Sequence, residues 1–253
     1  MNRGWLVALA ALILPVIAAC DDGDGGDPTL RIAAAADLRS ALESAEGAIS
    51  AACGVAPTYA FGSSGQLKEQ VLAGAPFGLY LSADASYPED VEAAGLAVDG
   101  GVRSYAVGRL ALAWAPGVAP LAGIGDLARD DIEHVAIANP EHAPYGRAAK
   151  QSAERAGVWE AIEDRLVFGE NVRQATDYVE QGNAEAGLIA LSLVVGTDTE
   201  YLLVPADLHE PITQAGVVVK GTGVESEAMC VLDYLAADDG QALLRDFGFE
   251  PVE

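Results

Sequence analysis

The chain of 253 residues is long enough to bury a substantial core, as one large domain or two smaller ones. Its formal net charge is −24 at pH 7, from 38 acidic residues against 14 lysines and arginines. Nucleic acids and anionic membrane surfaces are polyanions, so this charge excludes them as electrostatically attracted partners.

Residues 1–19 have the pattern of an export signal. Arg3 supplies a positive charge, residues 5–17 form an apolar run too short for a lasting membrane span, and small residues precede Cys20. This ending resembles a bacterial lipoprotein signal, in which Cys20 becomes the lipid-bearing N-terminus; an ordinary signal peptide with an incidental cysteine is the alternative. Residues 20–28 are rich in aspartate and glycine and are expected to form a flexible tether. The mature chain is therefore expected outside the cytoplasm, in a periplasm or on the outer face of the cytoplasmic membrane.

From residue 30 the pattern is strand, turn and helix, repeated. The apolar run 30–35 is followed by apolar residues at helical spacing, and Asp37 stands where an N-cap belongs. The extended run 57–61 is followed by GSSG and a second helical segment, with Ser63 or Ser64 as its cap. At both places the end of a strand leads directly into the start of a helix.

Two further junctions of this kind follow. Residues 135–138 form a short apolar run that leads through NPEHAPYGRAAK into a helix beginning near Tyr145 and Gly146. In GENVRQATDYVEQG, Asn171 is the expected cap and Val172 opens the helix. The first turn of a helix has unpaired amide groups and the positive end of the helix dipole, so such a junction can bind a small anion without a charged side chain.

The remaining segments continue the alternation of strands and helices. Residues 105–114 are a long extended candidate interrupted at Gly108, a short helix is expected near 126–130, and the last strand is expected at 215–219. Further strands are expected at 79–81, 166–168, 187–191 and 201–204, and further helices from Pro88, from Trp159, at 225–235 and at 241–247. This alternation predicts an α/β fold with parallel sheets and helices on both faces, which binds ligands beyond the carboxyl ends of its strands.

Cys53 and Cys230 are the cysteines of the mature chain besides Cys20. In an exported protein two cysteines favour a disulfide, but two buried free thiols remain an open alternative. The sequence contains no CxxC motif and no Cys/His cluster, so we predict no bound metal cation and no cofactor. His134 and His209 lack the acidic or cysteine neighbours that would indicate catalysis.

Six segments, in order, carry a resemblance that covers about residues 30–251: LRIAAAADLRSAL, FGSSGQL, GAPFGLYLSAD, NPEHAPYGRAAK, ENVRQATDYVEQGNAEAGLIALS and DFGFEP. Together they resemble the molybdate-binding proteins that feed ABC transporters. The resemblance implies the two-lobe, type II periplasmic-binding-protein fold, with each lobe a mostly parallel sheet flanked by helices and with two crossing strands between the lobes. It places lobe 1 at residues 29–105 and 213–253 and lobe 2 at residues 106–212.

Carried over position by position, the resemblance implies ligand contacts at the four junctions, on Ala36, Asp37, Ser64, Tyr145 and Val172. Ser64 would donate through its hydroxyl and its amide, and Val172 through its amide alone. At Ala36 and Asp37, members of the family that the chain resembles often have serine, threonine or asparagine. Because a carboxylate facing a dianion is costly, Asp37 is expected to cap its own helix and to leave a backbone amide for the ligand. Other members take a tyrosine from a later loop, where this chain has Ala190, so Tyr145 is the expected phenolic donor.

The sequence therefore predicts a binding protein, not an enzyme, that captures molybdate and also tungstate through neutral hydrogen bonds and delivers the ion to an ABC permease. Such a cleft needs no countercharge, so His142 and Arg147 are expected to face solvent. A carrier for sulfate or another tetrahedral oxyanion is the alternative. A hydrolase with Ser64 as nucleophile is a distant one, because GSSG lacks the GxSxG spacing and no histidine follows in an activating context. The chain is expected to be a monomer, anchored to the membrane by its N-terminal lipid.

Overall fold

The structure is a computed structural model that describes residue 1 and residues 29–252. The predicted signal, the lipid-bearing Cys20 and the tether fall on residues 1–28 and, apart from Met1, lie outside the described residues. Within the described part of the chain, no helix combines the length and the apolar composition needed to cross a membrane.

The described residues form ten strands and eight α-helices, joined by several short 3-10 helices. The strands are β1 (Arg31–Ala35), β2 (Thr58–Gly62), β3 (Leu79–Ser82), β4 (Ala97–Gly108), β5 (Leu110–Trp114), β6 (Val135–Ala138), β7 (Leu166–Gly169), β8 (Ala186–Ala190), β9 (Glu200–Leu203) and β10 (Ile212–Val219). The helices are α1 (Arg39–Cys53), α2 (Ser64–Leu72), α3 (Ser86–Ala93), α4 (Pro144–Arg155), α5 (Trp159–Ile162), α6 (Val172–Glu180), α7 (Glu225–Ala236) and α8 (Asp238–Asp246).

The strands form two separate five-stranded sheets, in the orders β2-β1-β3-β10-β4 and β7-β6-β8-β5-β9. In each sheet the first three strands are parallel, the fourth runs antiparallel to them, and the fifth is antiparallel to the fourth. The parallel strands come from strand–helix units, as the alternating pattern predicts. The antiparallel strands follow from the chain passing between the sheets, where no crossover helix sets their direction. Each sheet with its flanking helices is called a lobe below.

The lobes are connected by two segments that lie side by side. The chain leaves the first sheet after Gly108 and begins the second at Leu110; it returns through a 3-10 helix at Ala206–Leu208 to Ile212. Strands β4 and β10 stay paired up to this point, with Ile212 opposite Gly108. The predicted interruption at Gly108 is therefore confirmed, as a passage from one sheet to the other.

The first sheet has a hydrophobic core on each face. Successive residues of a strand point to opposite faces, so they contribute to different cores. Ala33, Tyr80 and Val217 face helices α2 and α3, whereas Ile32 and Ala34 face the larger core that contains Leu42 and Ile49 of α1. Helix α1 ends where Gly54 adopts a φ of 66°, a left-handed conformation that glycine enters without a steric penalty. A disulfide between Cys53 and Cys230 ties the end of α1 to α7.

Two predicted elements differ from the structure. Strand β4 begins at Ala97, well before the predicted start at Tyr105, because the DGG turn sequence at 99–101 is accommodated as an irregularity in its pairing with β10. The helix predicted near 126–130 is a 3-10 helix at Ile124–Ala128. The other predicted strands and helices are present, with ends that differ by a few residues.

Candidate functional site

The four strand–helix junctions meet at one small cavity between the lobes. Its walls are Ala35, Ala36 and Asp37 from the first junction, Gly62, Ser63 and Ser64 from the second, Ala143, Pro144 and Tyr145 from the third, Asn171 and Val172 from the fourth, and Ala83. All five predicted ligand residues therefore line the same cavity. Its free volume is about 10 Å³, which is room for about one water-sized group. The cavity is small, and residues of both lobes enclose it.

Helix α4 starts directly against the end of strand β6. A Cβ atom on Gly146 would overlap the carbonyl oxygen of Ala138, so only glycine allows the first turn of the helix to pack this closely on the strand. Pro144 occupies the first helical position, where its missing N–H costs no hydrogen bond. The amides of this first turn therefore lie at the cavity wall.

Helix α6 begins as predicted at the fourth junction. The Asn171 side chain accepts a hydrogen bond from the Gln174 amide at 3.2 Å, which confirms it as the cap. The cap bond satisfies the amide at the third helical position. The Val172 amide is at the first position, where no carbonyl of the same helix can accept from it. Val172 lines the cavity and is almost fully buried.

Ser64 is fixed in position by two hydrogen bonds from the first lobe. Its Oγ accepts from the Ala83 amide at 3.0 Å, and its carbonyl oxygen accepts from the Tyr80 hydroxyl at 2.6 Å. Because Oγ acts as an acceptor in this bond, its own proton remains available for donation towards the cavity. Neither Ser63 nor Ser64 caps α2 through its side chain; Ser63 is the residue before the helix, but its hydroxyl donates to the His142 carbonyl at 2.7 Å.

Asp37 does not cap its helix, so this prediction is wrong. The 3-10 helix at Ala36–Leu38 and α1 both begin without a side-chain cap bond. The Asp37 carboxylate is instead buried, with 1% of the residue exposed, and its Oδ2 accepts from Gln214 Nε2 at 2.7 Å. A partner distant in the chain has replaced the local one, because the crossing strand β10 passes directly beneath the first junction.

Burial raises the pKa of the Asp37 carboxyl from its ordinary 3.8 to about 7. Tyr145, the amides of Asp37 and Leu38, and Gln214 act in the opposite direction and offset only part of this effect. Among the described residues, no lysine, arginine or histidine forms an ion pair with Asp37. The cavity therefore contains a carboxyl group whose charge is poorly compensated.

The Tyr145 hydroxyl lies beside this carboxyl, at the point where the chain crosses between lobes. The phenol is close enough to influence the Asp37 pKa, but Tyr145 OH and Asp37 Oδ1 are both buried without a hydrogen-bond partner of acceptable geometry. A Cβ atom on Gly108 would overlap the Tyr145 hydroxyl. These two neighbouring groups therefore have hydrogen-bonding capacity that the described residues leave unused.

His142 and Arg147 are partly exposed, and each also makes contacts across the cleft that the sequence prediction did not include. His142 Nδ1 lies 2.8 Å from Ser63 Oγ, and the His142 carbonyl accepts from the Gly65 amide at 2.9 Å. Arg147 donates to the Tyr87 hydroxyl at 2.7 Å and pairs with Asp84. Each of these contacts joins one lobe to the other, so both residues close the cleft rather than neutralise the ion.

The histidine contact does not create a catalytic serine. Ser63 has one hydroxyl proton, which it donates to the His142 carbonyl, so His142 Nδ1 must be protonated to donate to the same oxygen. An imidazole nitrogen that already carries a proton cannot serve as the general base for that hydroxyl. Ser64, the predicted nucleophile of the hydrolase alternative, has no histidine among its described hydrogen-bond partners.

Three residues of the site were missed in the sequence: Gln214, Gly108 and Ser192. Gln214 is fully buried in β10, and the Ser192 hydroxyl donates to the Asp37 carbonyl at 2.8 Å. A glutamine beside the apolar run 215–219 was the one available signal, since a polar residue in a buried strand needs a partner. Nothing local in the sequence identifies that partner.

Two α/β lobes that close on a small cavity, with helix starts around it and two crossing segments behind it, define a solute-binding protein of the periplasmic type. Residues 30–250 match the family model of the bacterial extracellular solute-binding proteins, and the chain belongs to this family. The predicted family and the two-lobe fold are confirmed. Members of this family bind solutes outside the cytoplasm and are not enzymes.

Individual relatives agree with this assignment. The chain is 41% identical over 193 residues to the molybdate-binding protein ModA of Rhodobacter capsulatus, covering 76% of each chain. It is 28% identical over 264 residues to a putative ABC transporter substrate-binding lipoprotein, YvgL, of Bacillus subtilis, covering 97% of this chain and 96% of the relative. The solved periplasmic molybdate-binding protein of Azotobacter vinelandii superposes with a TM-score of 0.82 at 29% identity, covering 88% of this chain and all of that one.

Proposed function

We propose that the chain captures molybdate, and also tungstate, in the cavity between its lobes and delivers the ion to an ABC permease. The observation that carries the proposal is the convergence of the four strand–helix junctions on one small cavity between the lobes. The relatives named for molybdate binding support the choice of ion. In this proposal Ala36, Asp37, Ser64, Tyr145 and Val172 are the ligand residues.

The binding mode is hydrogen bonding from neutral donors. Among the described residues, the cavity wall includes no lysine or arginine. The nearby arginines are already engaged: Arg39 pairs with Glu43, and Arg173 pairs with Asp177 and Glu180. First-turn amides, the Ser64 hydroxyl and the Tyr145 hydroxyl would therefore hold the ion, in a water-poor site where such donors act strongly.

Calorimetric titration of the ligand-free domain with molybdate, tungstate and sulfate tests the proposal. We expect molybdate and tungstate to bind tightly and sulfate to bind far more weakly. Ser64→Ala is expected to weaken molybdate binding by roughly 1 to 3 kcal/mol through one lost charge-assisted hydrogen bond. Ser226→Ala is the matched control, because Ser226 is exposed on α7 and does not line the cavity. Sulfate binding as tight as molybdate binding would replace the assignment with a sulfate carrier.

The proposal also includes the organisation of the chain: the lobe boundaries lie at residues 105 and 212, and the protein is a monomer. It further includes a membrane anchor, which is an N-terminal lipid on Cys20. The Bacillus relative named as a lipoprotein supports the lipid. Incorporation of a labelled fatty acid by the intact chain, and its loss in Cys20→Ser, is the expected result; labelling that persists in Cys20→Ser would place the lipid elsewhere.

A further inference from the structure

The cavity wall contains one carboxyl group, and its position is unusual for an anion site. Asp37 is 1% exposed, its Oδ2 is held by Gln214, and its Oδ1 has no hydrogen-bond partner. A buried carboxylate is normally paired with a cation or stabilised by several hydrogen bonds. Asp37 has no ion pair and one side-chain hydrogen bond of regular geometry, although it belongs to the group of residues that would surround a dianion.

The groups packed around Asp37 contain no compensating positive charge among the described residues. Helix α4 contributes Tyr145, strand β4 contributes Tyr105, strand β10 contributes the neutral Gln214, and the 3-10 helix at Leu191–Leu193 contributes the neutral Ser192. Helix α6, whose first residue lines the cavity, buries the uncharged Val172, Ala175 and Thr176. On α1, Arg39 is exposed and pairs with Glu43.

Both tyrosines act as neutral donors rather than as anions. Tyr105 OH and Tyr145 OH are buried without a partner, and burial raises the pKa of each phenol well above 10.0. The Asp37 carboxyl is therefore the one group of this cluster that can change its charge near neutral pH. In the charged form it repels an oxyanion across the cavity; in the neutral form it gains an O–H that can donate to Tyr145, to Gln214 Oε1 or to the ion.

We propose that Asp37 makes anion capture proton-linked: the cleft binds the oxyanion together with one proton, which is taken from solvent and held on the Asp37 carboxyl. This inference rests on the proposed function, because it concerns the same cavity and an anionic ligand. No bond other than the carboxyl O–H forms, and the same proton returns to solvent when the ion leaves.

The direction of the pH dependence follows from this coupling. In the ligand-free protein the Asp37 pKa is about 7, raised mainly by burial. A bound dianion raises it further, since the charged carboxyl is then also opposed by the ligand. Below the ligand-free pKa the proton is already present and affinity is constant; above it each binding event takes up a proton, and affinity falls about tenfold per pH unit.

Calorimetric titration with molybdate between about pH 5.5 and pH 9, in buffers of different ionisation enthalpy, measures both quantities. We expect the dissociation constant to rise about tenfold per pH unit on the alkaline side, with uptake of about one proton. Asp37→Asn, which keeps the shape and an oxygen for Gln214, is expected to bind with no proton uptake and with a flat profile. Asp130→Asn removes an exposed carboxylate that does not line the cavity and is expected to keep the wild-type slope.

The outcomes separate this inference from the proposed function. Molybdate that binds with a flat profile and no proton uptake in the wild-type protein overturns the role of Asp37 and leaves the function intact. Absence of molybdate binding at every pH in a folded protein overturns the function itself. Preferential binding of hydrogen phosphate over molybdate, without proton uptake, would show that Asp37 stays charged and accepts a hydrogen bond from the ligand. This result would also overturn the inference.

Discussion

The replacement Asp37→Asn should change the stability of the ligand-free protein in a pH-dependent manner. The Asp37 carboxyl is buried, and its pKa rises from 3.8 to about 7 on folding. A raised pKa means that the folded state holds the proton more tightly than the unfolded chain. This group therefore contributes stability that is fully present below about pH 4 and is lost as the pH rises through about 7.

The size of the effect follows from the shift. A difference of about 3 pKa units corresponds to about 4 kcal/mol over the full range, at 1.36 kcal/mol per unit. Between pH 5 and pH 8 the folded state loses most of its proton while the unfolded state is already ionised, so about 3 kcal/mol of this falls in that interval. Asparagine cannot ionise and keeps an oxygen that accepts from Gln214.

The assay is urea denaturation of ligand-free wild-type and Asp37→Asn proteins at about pH 5 and about pH 8, with the disulfide intact. The stability of the variant relative to wild type should rise by about 3 kcal/mol from the lower to the higher pH. Asp130→Asn, which removes an exposed carboxylate, should show no comparable change. A relative stability that is equal at both pH values would refute the argument, because it would mean that Asp37 ionises normally in the folded protein.

Three further predictions concern the residues around the cavity. Tyr145→Phe should weaken molybdate binding by roughly 1 to 3 kcal/mol in calorimetry, yet leave the denaturation midpoint of the ligand-free protein nearly unchanged, because the hydroxyl has no partner there. Gly108→Ala should also weaken binding, because its Cβ would overlap the Tyr145 hydroxyl; combining it with Tyr145→Phe should cost less than the sum of the two changes, and strict additivity would contradict the contact. Arg147→Gln removes bonds to Asp84 and Tyr87 across the cleft, so the ligand-free protein should show a larger radius of gyration in solution scattering, and an unchanged radius would mean that these bonds do not hold the lobes together.

Local pattern was sufficient to place the four strand–helix junctions, and the family resemblance implied that Ala36, Ser64, Tyr145 and Val172 share one cavity. The apolar run before each junction and the helical spacing after it predict a helix start there, and Asn171 caps as the local rule predicts. These features depend on residues a few positions apart. They are therefore readable from a single sequence, whatever the rest of the chain does.

The chemistry inside the cavity depends on contacts between distant parts of the chain. The cap rule assigned Asp37 a local partner, whereas its actual donor, Gln214, is 177 positions away. His142 was expected in solvent, but it meets Ser63 across 79 positions. The first pair forms only when strand β10 joins the first sheet, and the second only when the two lobes approach each other, so no propensity or spacing rule within one segment could reveal them.

The bond from Gln214 to Asp37 joins the floor of the cavity to the return crossing of the chain. Strand β10 carries Gln214 beside Gly108, where both segments pass between the lobes. Both residues of this bond lie in the first lobe, whereas Tyr145, whose hydroxyl lies beside the Asp37 carboxyl, lies in the second. When the lobes rotate apart, the Gln214 bond stays with the first lobe and the phenol moves away from the carboxyl. Because the phenol lowers the pKa of Asp37, opening the cleft also changes the acidity of the cavity floor.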